Sequence, residues 1–174
     1  MKTSEITIRD ATADDSSAIL AIYAPYVKNT AISFEYEVPS EADFKARVKS
    51  ILQNYPYVVA EIGGKIAGYA YGGTLHEREA YKFSSELSVY VDSELRGQGI
   101  GALLYAELEK KLKARGFRSI YACIAHTDRE NDPYLTDASP RFHEKQGWHF
   151  VGKFTDCAYK FGLWYNMVYY EKHI

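Results

Sequence analysis

Ile6 and Ile8 alternate with polar neighbours, the two-residue period of a half-buried strand. Asp10-Ala11-Thr12-Ala13-Asp14 then offers capping side chains before an apolar series at Ile19, Ile22, Tyr23, Tyr26 and Val27, spaced for one face of a helix. Pro25 interrupts that face, and its missing N–H predicts a kink or an early stop near Ala24. A second helix is predicted with Ser40 as its cap, Asp43 three residues on, and Phe44, Val48, Ile51 and Leu52 as its buried stripe. It ends at Asn54-Tyr55-Pro56. β-Rich runs follow at Tyr57–Ile62, 66–71 and 83–91, the first two joined by Gly63-Gly64 as a two-residue hairpin turn. The longest predicted helix starts at Ile100, with Leu103, Leu104, Leu108 and Leu112 along one side and Gly116 as a left-handed C-cap. A strand at 118–125 and a polar loop at 127–136 lead to a short helix with Ser139 as cap, Pro140 in first position and Gly147 as stop. Strands at 149–151 and 165–170, joined through Lys160-Phe161-Gly162, complete the chain. There is no internal repeat and no linker, so the pattern predicts one domain over residues 1–174.

Composition changes this picture only by exclusion. Lys and Arg number 21 against 23 Asp and Glu, which leaves no basic field for a nucleic-acid backbone. No apolar window reaches the ~18 residues of a membrane span, and Met1-Lys2-Thr3-Ser4-Glu5 opens into no apolar signal run. Both points predict a cytoplasmic chain with no membrane partner. Cys123 and Cys157 have no CxxC partner and read as small buried apolar side chains. His76, His126, His149 and His173 show no metal-ligand spacing, so no metal is expected; the acidic loop around His126 and Asp128 reads as a solvated connection.

The chemistry-bearing stretch is Arg96-Gly97-Gln98-Gly99-Ile100-Gly101, which joins a strand to the longest helix. Main-chain N–H groups there point outward at the positive end of a helix dipole, the arrangement that binds phosphate. Its plainer reading is a flexible connector. A Walker A loop is rejected, because Ala102-Leu103 follows where a lysine and a hydroxyl would be needed. A dinucleotide-binding loop fits poorly, because five residues, Asp92 to Arg96, separate the strand from the first glycine and the preceding strands are antiparallel hairpins.

With Leu87-Ser88-Val89-Tyr90-Val91 ahead of it, Arg96-x-x-Gly99-x-Gly101 resembles the acetyl-CoA pyrophosphate loop of the GNAT superfamily of N-acetyltransferases. Nearly the whole chain resembles the phosphinothricin acetyltransferase branch, whose members acylate small amino acids and their analogues. The carrying residues are Asn29-Thr30-Ala31-Ile32-Ser33-Phe34-Glu35, the run from Ala80 through Glu86 to Val91, Phe142-His143-Glu144-Lys145-Gln146-Gly147-Trp148 and Tyr159-Lys160-Phe161-Gly162-x-Trp164. The resemblance implies the GNAT fold: a mixed, mostly antiparallel central sheet flanked by about four helices. It further implies acetyl-CoA as cofactor, its pantetheine arm against the backbone of Val89, Tyr90 and Val91. The pyrophosphate would sit on Arg96, Gly97, Gln98, Gly99, Ile100, Gly101 and Ala102, with Thr136 and Ser139 nearby.

Alternation puts Glu86 on the same side as Ser88 and Tyr90. That position is either a solvent-facing carboxylate or, as the resemblance implies, the base that deprotonates the acceptor ammonium. His143 is the second catalytic candidate, free to exchange protons near neutrality at a reference pKa of ~6.5, or else a structural histidine. Phe34, Glu35, Tyr81, Lys160 and Trp164 are the expected walls of the acceptor pocket, Lys160 as a cation for an amino-acid carboxylate. The chain departs from the family at Thr136, where asparagine is usual, at Asn166, where aspartate is common, and in a longer 127–137 loop. The expected activity is acetyl transfer to a small amino acid amine in a ternary complex, in a homodimer. Other amines (a polyamine, an aminoglycoside, a protein N-terminus) and a non-catalytic acyl-CoA sensor are the alternatives.

Overall fold

The computed structural model describes residues 5–174; the stretch 1–4, part of the N-terminal segment considered above for a signal run, lies outside them. Strand β1 (Ile6–Asp10) is followed by helices α1 (Ser16–Asn29) and α2 (Glu41–Asn54). Strands β2 (Tyr57–Ile62), β3 (Lys65–Thr74) and β4 (Ser84–Val91) come next, then α3 (Ile100–Ala114), β5 (Ser119–His126), α4 (Ala138–Lys145), β6 (His149–Lys160) and β7 (Leu163–His173). The strands form one sheet in the order β1-β2-β3-β4-β5-β7-β6, antiparallel except for β4 beside β5. This is the α+β arrangement, with a mixed and mostly antiparallel sheet and four helices, that the family resemblance implied, built from elements in the order that the apolar pattern predicted. Among the described residues no helix is long and apolar enough to cross a membrane.

Strand alternation gives the sheet two faces. Val58, Ala60, Ala70, Leu87 and Ile120 point to the side covered by α3, whose Leu104, Leu108 and Leu112 are fully buried against them. Burial of each such leucine stabilises the fold by roughly 1.5–3 kcal/mol. Tyr57, Val59, Tyr69, Tyr71 and Tyr90 point the other way, against Ile19, Tyr23 and Val27 of α1 and Phe44 and Val48 of α2.

Several local expectations change. Helix α1 runs through Pro25 to Asn29 without the early stop. The proline removes one N–H, but Tyr26 and Val27 beyond it remain buried, and Thr30 Oγ1 donates to the Tyr26 carbonyl (2.7 Å) to close the last turn. Ser40 caps α2 as expected, accepting from the Asp43 N–H at 3.1 Å. Helix α4 starts earlier than Ser139-Pro140 indicated: Asp137 is its cap residue and Arg141 N–H closes the first turn on the Asp137 carbonyl. The last two strands are far longer than their apolar cores, and β6 is exposed over most of its length. It is the edge strand, so solvent-facing residues pair as readily as apolar ones. Cys123 is half-buried and Cys157 exposed, both as free thiols, so Cys157 is not the buried apolar side chain expected.

Candidate active site

The parallel pair β4–β5 is in register only from Ser84–Ser119 to Glu86–Tyr121, and beyond Glu86 the two strands part. Asp92 N–H donates to the Ala67 carbonyl (2.9 Å) and Val91 stands opposite Gly68. Alternation of antiparallel bonding therefore turns the main-chain groups of Leu87, Val89 and Val91 away from β3 and into the fork. Tyr90, grouped with its neighbours on sequence grounds, directs its main chain to β3 and its ring toward α1.

A cavity of about 400 Å³ fills the fork and continues to the start of α3. Val89, Tyr90, Val91, Arg96, Gly97, Gly99, Ile100, Gly101, Ala102, Thr136, Ser139 and His143 border it, and of the expected cofactor contacts only Gln98 does not. Gly97 and Gly99 have φ of +78° and +82°, and a Cβ built on either meets nothing within 4 Å. Such backbone disfavours any side chain, and the space in front of it is open for an anion. Gly101 is small for a different reason: a Cβ there would lie 3.2 Å from the Phe142 ring, so this glycine lets α3 approach α4. The N-terminus of α3, the positive-φ glycines and the free β4 edge together fit a long diphosphate ester with an amide arm.

Two tyrosines that the sequence reading left unassigned stand on the cavity wall. Tyr26 of α1 donates its hydroxyl proton to the Val91 carbonyl (2.5 Å) and accepts from Arg96 Nε at 3.2 Å, while the Arg96 guanidinium lies 4.7 Å from its ring centroid. Tyr105 of α3 lies 3.0 Å from His143 Nε2. His143 Nδ1 is 2.8 Å from the Ser139 carbonyl, which can only accept, so Nδ1 carries the proton and Tyr105 donates to Nε2. Burial then holds His143 neutral, its pKa pushed down to about 4 despite the Ser139 bond. With both nitrogens engaged, His143 has the surroundings of the structural histidine that was one of its two readings.

Glu86 sits at the closed end of the fork on the α1–α2 face, half-buried. Burial raises its pKa, and only the nearby His76 opposes that rise. The Tyr71 side chain, on β3 opposite Ser88, lies within reach of the charges of Glu86, Arg47 and Glu35. Glu35 is ion-paired to Arg47 of α2 through Oε1, while its Oε2 is buried without a partner. Arg47 carries no sequence signal beyond being one polar residue on an amphipathic helix.

The remaining predicted acceptor residues are not gathered there. Lys160 is 3% exposed and donates to the carbonyls of Val27, Thr30 and Ser33 at 2.8, 2.9 and 2.6 Å. All three of its N–H donors are thereby used, and it ties the end of α1 to β6 instead of meeting a substrate carboxylate. Trp164 is exposed against Tyr159 on the β6–β7 hairpin, Tyr81 is exposed against His76, and Phe34 packs on Tyr165.

Residues 8–169 match the model of the acetyltransferase (GNAT) domain. The chain belongs to the GNAT acetyltransferase family. It is 32% identical to the phosphinothricin N-acetyltransferase of Streptomyces viridochromogenes over 96% of this chain and 87% of that one. The L-methionine sulfoximine/L-methionine sulfone acetyltransferase of Pseudomonas paraeruginosa is 31% identical over 97% of this chain and 94% of its own. Among solved structures, the GNAT superfamily phosphinothricin acetyltransferase of Sinorhizobium meliloti in complex with acetyl-CoA superposes with a TM-score of 0.88. That pair is 34% identical, covering 97% of this chain and 88% of the other. As a GNAT enzyme this chain is an acetyl-CoA-dependent N-acetyltransferase.

Proposed function

We propose that this GNAT enzyme acetylates the α-amine of a small polar amino acid or analogue, of the phosphinothricin or methionine sulfoximine type, by direct attack within a ternary complex. The observation that carries the mechanism is the half-buried Glu86 at the closed end of the fork, immediately before the free edge of β4. The names of the relatives support the acceptor class.

When bound, acetyl-CoA supplies the activated acyl group and the thiolate leaving group. Arg96, Gly97, Gly99, Gly101 and Ala102 would hold its pyrophosphate, and the β4 edge from Val89 to Val91 its amide arm. Glu86, kept from ionising too readily by burial, takes a proton from the acceptor ammonium, directly or through a water, and leaves a neutral nucleophile. The main-chain N–H groups of Val89 and Val91, which face away from β3, would be the donors for the negative charge that develops on an acyl oxygen. Arg47 spends one N–H on Glu35, which leaves the others for an acceptor carboxylate.

The second copy of a homodimer is part of the same reading. Phe150, Val151, Phe154 and Tyr159 on the edge strand β6 are each about half exposed, apolar side chains along an edge whose main chain is open to another copy.

The test follows free thiol release from acetyl-CoA across a panel of amino acids, analogues, polyamines and peptides. Wild type is expected to turn over with small amino acid analogues. Glu86→Gln should lose ~10²-fold or more in kcat while its CoA affinity, measured by calorimetry, stays the same. Full activity of Glu86→Gln would remove the carboxylate from the mechanism, and turnover confined to polyamines or peptides would move the acceptor class.

A further inference from the structure

The Tyr26 hydroxyl is the meeting point of two parts of the cofactor cleft that the chain itself separates. Val91 ends the β4 edge, Arg96 opens the glycine loop, and residues 92–95 connect them on the surface. One hydroxyl bonds both: it donates to the Val91 carbonyl at 2.5 Å and accepts from Arg96 Nε at 3.2 Å. The tyrosine is itself well fixed. It is 6% exposed, its ring packs edge-on against Tyr90 at 5.1 Å, and its backbone lies in the last turn of α1, which Lys160 and Thr30 tie down.

Arg96 has the opposite character. It is exposed, and among the described residues no carboxylate lies within ion-pair distance of it; the hydroxyl and ring of Tyr26 are its partners. An unrestrained arginine carries ~2 kcal/mol of rotamer entropy that is lost when it grips an anion. The contact with Tyr26 uses only Nε–H, so four of the five N–H donors of a guanidinium are left to face phosphate oxygens.

We infer that Tyr26 is a positioning residue for the pyrophosphate grip, presetting Arg96 and fixing its spacing from the end of β4 before coenzyme A arrives. This rests on the proposed role of Arg96 and the glycine loop in holding the pyrophosphate. The expected gain is that of preorganisation: the cofactor meets a clamp whose ordering has already occurred on folding. It also explains why a tyrosine on a helix from the acceptor side of the sheet borders the cofactor cavity at all.

The experiment is a double-mutant cycle read by calorimetric titration of coenzyme A into wild type, Tyr26→Phe, Arg96→Gln and the double variant, with melting temperatures recorded for each. Tyr26→Phe keeps the ring and removes only the hydroxyl. It should weaken coenzyme A binding roughly five- to tenfold, the size of one ordinary hydrogen bond. In the Arg96→Gln background the same substitution should cost nothing further. An equal loss in both backgrounds would make Tyr26 a merely structural residue and overturn the inference, as would an unchanged affinity of Tyr26→Phe alone. Should Arg96→Gln and Gly99→Val both bind coenzyme A as wild type does, the loop assignment itself fails, a distinguishable result. If Tyr26→Phe melts too low to titrate, Tyr26→Trp, which keeps a ring under the guanidinium without the phenolic oxygen, replaces it in the same cycle.

Discussion

A histidine changes charge near neutrality only where water or a counter-charge can accept its protonated form, and His143 has neither. Its ring lies 3% exposed among Tyr105, Phe142 and Trp148, with the Ser139 carbonyl and Tyr105 hydroxyl on its two nitrogens. The unfolded chain takes up that proton around 6.5 and the folded chain only near 4. Between those values the unfolded state binds more protons, so stability falls as the pH drops through this window and is unaffected by His143 above it. The full penalty is on the order of 3 kcal/mol at ~1.4 kcal/mol per unit. Urea unfolding at pH 7 and pH 4 should show it, and an NMR titration of the ring should find its midpoint near 4; a midpoint close to 6.5 would contradict the buried, neutral assignment. Residue chemistry was partly legible. Glu86 stood out as the single carboxylate in a β-rich run, and period-two alternation alone put it with Ser88 and Tyr90. Lys160 did not reveal its role, because a lysine that satisfies the carbonyls of Val27, Thr30 and Ser33 looks the same in sequence as one awaiting a substrate.

At the scale of elements, the connection from β4 to α3 has two kinds of glycine. Gly97 and Gly99 are required by left-handed backbone, Gly101 by the nearness of Phe142. Gly99→Val puts a β-branched side chain at φ +82° and into the open space before α3. Strain of ~1–2 kcal/mol is expected there. Coenzyme A affinity should fall by at least tenfold in calorimetry while circular dichroism remains that of wild type; unchanged affinity would detach the phosphate from this loop. The element order was readable because amphipathic spacing reflects burial directly, as in the leucine stripe of α3. Ends were less so. Asp137 opens α4 two residues before the expected Ser139, since Ser-Pro marks a favourable start without showing where the preceding loop turns. Pro25 was overridden by the burial of Tyr26 and Val27 beyond it.

Over the whole molecule, the decisive feature is that β4 and β5 pair over three residues and then diverge, so a sheet that would otherwise be continuous opens into a cleft. Its far side ends in β6, whose exposed Phe150, Val151, Phe154 and Tyr159 form the proposed contact with a second copy. Sedimentation should return twice the 19.8 kDa chain mass for wild type. Phe154→Glu with Val151→Lys should shift it to the monomer without loss of helical content; a wild-type monomer at tens of micromolar would end the homodimer proposal. The amino-acid sequence alone determined the succession of strands and helices, the glycine pattern of the 96–101 stretch and its family likeness, because these depend on periodicity and on short runs of adjacent residues. Only the tertiary structure decided which side chains meet. Tyr26 reaches Arg96 across 70 positions, Arg47 finds Glu35, and Lys160 closes on α1 from more than 125 positions away. Contacts of that separation are set by how the layers pack, and packing leaves no mark on the local order of residues.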